Sequence, residues 1–109
     1  MAEKHDRLLA HYRARLANRR YRIESKSPFP DYRPDIWATK GRRKIFVEVE
    51  IETTLYGNHT LEQLIHMHSY LIADHRASGV LVVPRLIKGE AAFLLDSVFG
   101  DRRIRAEGL

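Results

Sequence analysis

The sequence predicts an α/β fold, a mixed sheet flanked by helices in the order αβββαβ, and three observations lead there. Residues 44 to 52 alternate polar and apolar directly after a glycine-containing turn, which marks the second arm of a hairpin. A long stretch with helical periodicity follows from Thr60. Behind it, Val80-Leu81-Val82-Val83 is a continuous apolar run, as in a strand buried on both faces and reached by a crossover. At 109 residues the chain suits one domain, spanning 1 to 109, with a single core.

In chain order, Leu8, Leu9, Tyr12 and Leu16 recur at helical spacing and predict a helix over residues 3 to 17, with Asn18 as a left-handed cap. Residues 20 to 25 alternate, which predicts a half-exposed strand with Tyr21 and Ile23 inward. Three prolines between Ser27 and Pro34 exclude regular helix and predict a loop rich in aromatic residues. Strands over 35 to 39 and 44 to 52 then flank the turn Lys40-Gly41-Arg42-Arg43. Thr60 is a candidate cap for a helix running to about Ala77, whose apolar face collects Leu61, Leu64, Ile65, His68, Leu71, Ile72 and His75. Gly79 ends the next turn, Pro84 stops the buried strand, residues 90 to 98 suggest a short helix, and 102 to 106 an edge strand or tail.

Composition narrows the function. No run nears the roughly 20 apolar residues of a membrane span, and the N-terminal segment has no apolar core like that of a signal peptide, so a cytoplasmic protein without membrane contact is expected. With no cysteine there are no disulfides and no thiolate metal sites. The net charge of +5 conceals a segregation: residues 1 to 44 hold 13 Lys/Arg against 5 Asp/Glu, and the remainder 6 against 9. A basic half favours phosphates through counterion release, with Arg19, Arg20, Arg22, Lys26, Arg33, Lys40, Arg42 and Arg43 as the candidate nucleic-acid-binding residues; a solubilising basic surface is the alternative. Phe29, Tyr32 and Trp37 are suited either to stacking on unpaired bases or to the core.

Side chains two apart in a strand share a face, so Lys44, Phe46, Glu48, Glu50 and Glu52 point one way, with Ile45, Val47, Val49 and Ile51 opposite. Carboxylates stacked on one face repel, and a divalent cation relieves the repulsion. Asp35 on the neighbouring strand is placed to complete the site. Oxygen donors select Mg²⁺ or Mn²⁺ over Zn²⁺. The alternative is an ordinary solvated sheet face, which unmixed glutamates fit badly because Glu is a poor strand former.

The pattern Pro34-Asp35, then 12 residues, then Glu48-Val49-Glu50, resembles the PD-(D/E)XK nuclease superfamily over roughly residues 5 to 84, and within it the archaeal-type Holliday junction resolvases. The resemblance implies a restriction-endonuclease-like core and metal-dependent phosphodiester hydrolysis. It implies Asp35 and Glu48 as ligands of Mg²⁺ or Mn²⁺, joined by the Val49 carbonyl, and branched DNA as substrate. A homodimer is expected, because cutting a junction symmetrically takes two sites and one domain offers one. The family's lysine is replaced by Glu50, as in some restriction endonucleases of this fold. Lys44 on the same strand face, or Lys40 or Lys26 from outside it, is then the candidate for orienting the water. Resolvases of this type also use an acid from the first helix, for which Asp6 and Glu3 are available. Nuclease relatives often carry a Gln, sometimes followed by a Tyr, on the helix after the acidic strand, for which Gln63 and Tyr70 are candidates; both point away from the main apolar face, and plain surface residues are the alternative.

Three other readings stay open: a non-catalytic nucleic-acid-binding module on the same fold, a nuclease of this fold with other DNA or RNA specificity, and a zinc site. The last rests on Asn58-His59 with His66, His68 or His75, which is loosely similar to the HNH nuclease arrangement.

Overall fold

A computed structural model describes residues 2 to 109. The chain forms α1 (Ala2–Asn18), β1 (Arg22–Ile23), β2 (Ile36–Lys40), β3 (Arg43–Val49), α2 (Asn58–Ala73), β4 (Ala77–Val83), a 3₁₀ turn (Arg85–Ile87), α3 (Lys88–Val98) and β5 (Ile104–Gly108). The five strands make one sheet in the order β1-β2-β3-β4-β5. The first three are antiparallel neighbours, while β3, β4 and β5 run parallel. This is the expected mixed α/β sheet with helices, extended by α3 and a fifth strand.

Two apolar layers sandwich the sheet. Ile45, Val47 and Val49 of β3 join Val80 and Val82 of β4 under Tyr12 and Leu16 of α1. Phe46, Leu81 and Val83 face the other way and pack against Leu64, Met67 and Leu71 of α2 and Ala91 and Leu95 of α3. Because β3 and β4 are covered on both faces, β3 is buried from Ile45 to Val49, Glu48 included, and β4 ends in the continuous apolar run Val80 to Val83 typical of a buried parallel strand.

Several expectations need correction. Asn18 ends α1, but the left-handed residue is Arg20, at φ 69°, two positions later. The strand expected over 20 to 25 is only Arg22–Ile23, since the prolines that follow leave β2 few partners at this edge. The second hairpin strand ends at Val49, so Glu52 is not on the sheet: Ile51 to Tyr56 turn away, and Glu52 pairs with Lys4 of α1 at 2.6 Å. Gly79 lies inside β4, not at its start. A Cβ there would sit 2.4 Å from the Met67 sulfur, so the glycine lets α2 approach the sheet closely.

The largest revision concerns α2. It spans Asn58–Ala73, with Gly57 at its cap position, Thr60 inside the helix and His75 beyond it. Its buried residues are Thr60, Leu64, Met67 and Leu71, whereas Leu61, Ile65 and Ile72 are exposed. Apolar residues lie on more than one side of this helix, and the sheet takes the side holding Met67.

Candidate metal centre

The hairpin register builds the centre. Ile36 pairs with Val47, so one step beyond the last pair Asp35 stands opposite Glu48, on the α2 side of the sheet. Asp35 Oδ2 accepts the Val49 N–H at 2.8 Å, so a side chain continues the hairpin one step beyond its last backbone pair. Glu50 follows directly after β3, and its Oε1 lies 2.7 Å from the Thr60 hydroxyl of α2. Carboxylate oxygens of Asp35, Glu48 and Glu50 all lie within 4.8 Å of one another, and among the described residues no other group of His, Asp or Glu converges in this way.

The electrostatics are strained. Glu48 is 2% exposed. Burial, and next the Asp35 carboxylate beside it, push its carboxyl up to about 8, with Glu50 adding to the rise. The Tyr32 hydroxyl, 2.5 Å from Glu48 Oε2, works in the opposite direction. Tyr32 is itself buried, and its phenol is raised by burial and by Glu48, so it stays protonated and donates. One oxygen of Glu48, Oε2, is thereby engaged by the phenol.

The loop carrying Tyr32 is clamped by α2. Tyr70 stacks on Phe29 at 3.6 Å between ring centroids and donates to Asp31, Gln63 Nε2 reaches the Arg33 carbonyl at 3.4 Å, and His66 lies edge-on to Tyr32. Gln63 and Tyr70 therefore hold the loop that positions Tyr32. Trp37 donates to the Lys26 carbonyl and stacks on Phe46, so it anchors the start of that loop.

The other expected site residues are scattered. Lys44 lies at the far end of β3, with its ammonium 2.8 Å from Asp74, and is not brought to the acids. Lys40 sits over the Tyr21 ring. Asp6 and Glu3 are exposed, and it is His5 of α1 that reaches the centre, with Nε2 3.5 Å from Asp35 Oδ2 and Nδ1 3.6 Å from Asp6. Sequence reasoning missed His5 because nothing local marks it; the docking of α1 decides it. Lys26 and Arg33, joined by Arg13, line a groove of about 790 Å³ that Asp35 also lines. Arg19 and Arg20 lie with Lys40 around a separate hollow, Arg22 faces Glu24 at 3.6 Å, and Arg42 and Arg43 are at the opposite end of the sheet. The histidines proposed for zinc do not converge: His68 pairs with Asp101 at 3.2 Å, while His59 and His75 are exposed.

The donor set suits a hard divalent cation. Three carboxylates, one buried and raised by its neighbours, gain from a positive charge between them, and the His5 nitrogen adjoins them. Among the described residues no helix is long and apolar enough to cross a membrane. No protein-family model matches the chain, and comparisons with curated proteins and with solved structures return no match.

Proposed function

We propose that this chain is a Mg²⁺- or Mn²⁺-dependent endonuclease of the PD-(D/E)XK kind, with a restriction-endonuclease-like core, that hydrolyses phosphodiester bonds in DNA, branched DNA above all, as a homodimer. One observation carries the reading: Asp35, Glu48 and Glu50 converge at the end of a hairpin with a buried carboxylate among them. Asp35 and Glu48 would hold the cation, with Glu50 and His5 beside them. Such an ion supplies charge neutralisation at the phosphate and a lower pKa for the attacking water. The protein's own part is positioning. Tyr32 fixes one oxygen of Glu48, Thr60 holds Glu50, and the Val49 N–H holds Asp35. Arg13, Lys26 and Arg33 line the groove beside Asp35, together with Glu24 and Asp31, and offer cationic donors to the phosphates of a backbone. Exposed Leu61, Ile65 and Ile72 on α2 supply apolar surface for a second copy.

Cleavage assays with Mg²⁺ or Mn²⁺ on a four-way junction, a flap, a duplex and a single strand at one salt concentration test this. Asp35→Asn and Glu48→Gln should abolish cutting, and unchanged nicking in both would overturn the assignment.

Among the described residues no lysine pairs with Asp35, Glu48 or Glu50, which favours a second reading, a binding module on the same fold that has lost catalysis. Lys44, the lysine on the expected strand face, is tied to Asp74. Salt-sensitive DNA binding without metal-dependent cleavage would select that reading.

A further inference from the structure

At the end of the sheet opposite the acids, the β2–β3 turn and the α2–β4 turn enclose a cleft of about 520 Å³ lined by Tyr21, Arg42, Arg43, His75, Arg76 and Arg103. Both acids nearby are already satisfied. Asp74 accepts from Lys44 and from the Arg76 backbone N–H, and Asp101 accepts from Arg103. Among the described residues Arg42, Arg43 and Arg76 make no ion pair, and all three are exposed. Three unpaired guanidiniums, from the β2–β3 turn, the first residue of β3 and the α2–β4 turn, therefore line one concave surface, a concentration of positive charge that attracts an anion.

We propose that this cleft is a second phosphate-binding site, which holds the backbone of a nucleic-acid strand whose scissile bond lies at Asp35, Glu48 and Glu50. It rests on the reading of those acids as a nuclease centre. Guanidinium forks match phosphodiester oxygens bidentately, and guanidiniums from two turns suit successive phosphates better than one enclosed anion. The spacing agrees. Arg43 and Val49 bound β3, so at about 3.3 Å per residue the cleft lies roughly 20 Å from the acids. Because β3 is covered on both faces, a strand joining the two sites runs outside that line and spans at least roughly six nucleotides. A bilayer is the other polyanion to consider, but none of the exposed large apolar residues, such as Ile72, Leu86 or Phe93, lines the cleft, and a membrane surface would use them.

The test is fluorescence anisotropy with a labelled duplex of about 20 base pairs, with Ca²⁺ replacing Mg²⁺ and KCl varied. The full chain is compared with Arg42→Gln/Arg76→Gln and with Arg85→Gln/Lys88→Gln, which removes the same charge elsewhere; circular dichroism checks that all three are folded. The cleft variant should bind at least about tenfold more weakly, with a log–log salt slope smaller by about 2, while the control loses much less. Equal losses in both variants, no effect in either, or no duplex binding by the unaltered chain would overturn the proposal, as would the cleft variant losing only binding to phosphatidylserine vesicles. Duplex binding that depends on the cleft in a protein that never cuts would sink the nuclease reading alone. Cutting abolished by Glu48→Gln, with binding indifferent to Arg42 and Arg76, would sink only this one.

Discussion

Tyr32 and Glu48 form a buried pair in which the phenol, 2.5 Å from one carboxylate oxygen, is the only side-chain donor to Glu48 among the described residues. Replacing Tyr32 with Phe keeps the ring stacked near Phe29 and Tyr70 but removes that donor. The expected cost is about 1–2 kcal/mol in urea denaturation. Because the hydrogen bond lowers the Glu48 carboxyl, its loss also raises that group further and weakens Mn²⁺ binding at neutral pH, measurable by calorimetry.

Glu48 makes stability depend on pH in an uncommon direction. Its folded pKa, about 8, lies above the ordinary 4.5, so between these values the folded chain retains a proton that the unfolded chain releases. Stability contributed by this group is therefore full at low pH and lost as pH rises through about 8. Urea midpoints for the wild type should fall over that window in chelator, and Mn²⁺ should restore them. Glu48→Gln should flatten the decline and remove the Mn²⁺ effect.

Asp101 acts in the ordinary direction. Hydrogen bonds from Arg103, side chain first and then backbone, hold its carboxyl down to about 2, with His68 adding a smaller effect. Its contribution is present above the usual range near 3.8 and lost as pH falls toward 2. Asp101→Asn should lower the urea midpoint at neutral pH, with the gap to wild type closing in acid.

Two glycines should respond oppositely to alanine. At Gly108 in β5 a Cβ would come 2.9 Å from the Arg85 backbone, which cannot swing aside, so Gly108→Ala should cost about 1–3 kcal/mol. Gly89 lies in the first turn of α3 with nothing within 4 Å of an added Cβ. Gly89→Ala should stabilise by about 0.5–1 kcal/mol, and thermal melts of both variants check the pair.

What the sequence made legible was whatever local geometry decides. The pairing of Asp35 with Glu48 follows from a hairpin whose turn is marked by Gly41 and whose period of two is unmistakable. Glu52 looked equivalent to Glu48 and Glu50 because periodicity cannot show where pairing stops. The strand ends when the Ile51 N–H turns to the Thr54 hydroxyl. The α2 face was misread because Leu61, Ile65 and Ile72 form as good an apolar stripe as Leu64, Met67 and Leu71. Gly79, whose missing side chain accommodates Met67, carries the information that separates them, but only in three dimensions. His5 and Tyr32 reach the centre through tertiary contacts, and neither has a local signal.

The sequential order of the strands has a kinetic consequence. Asp35 and Glu48 sit on one short-range hairpin, which closes in about 1–10 μs, whereas the parallel pairing of β3 with β4 waits for α2 to cross over. The chain thus meets the repulsion between these two acids early, before the long-range contacts that offset it exist. Refolding should accelerate as pH falls or as Mn²⁺ is added, so the residues proposed for catalysis also act as a brake on assembly.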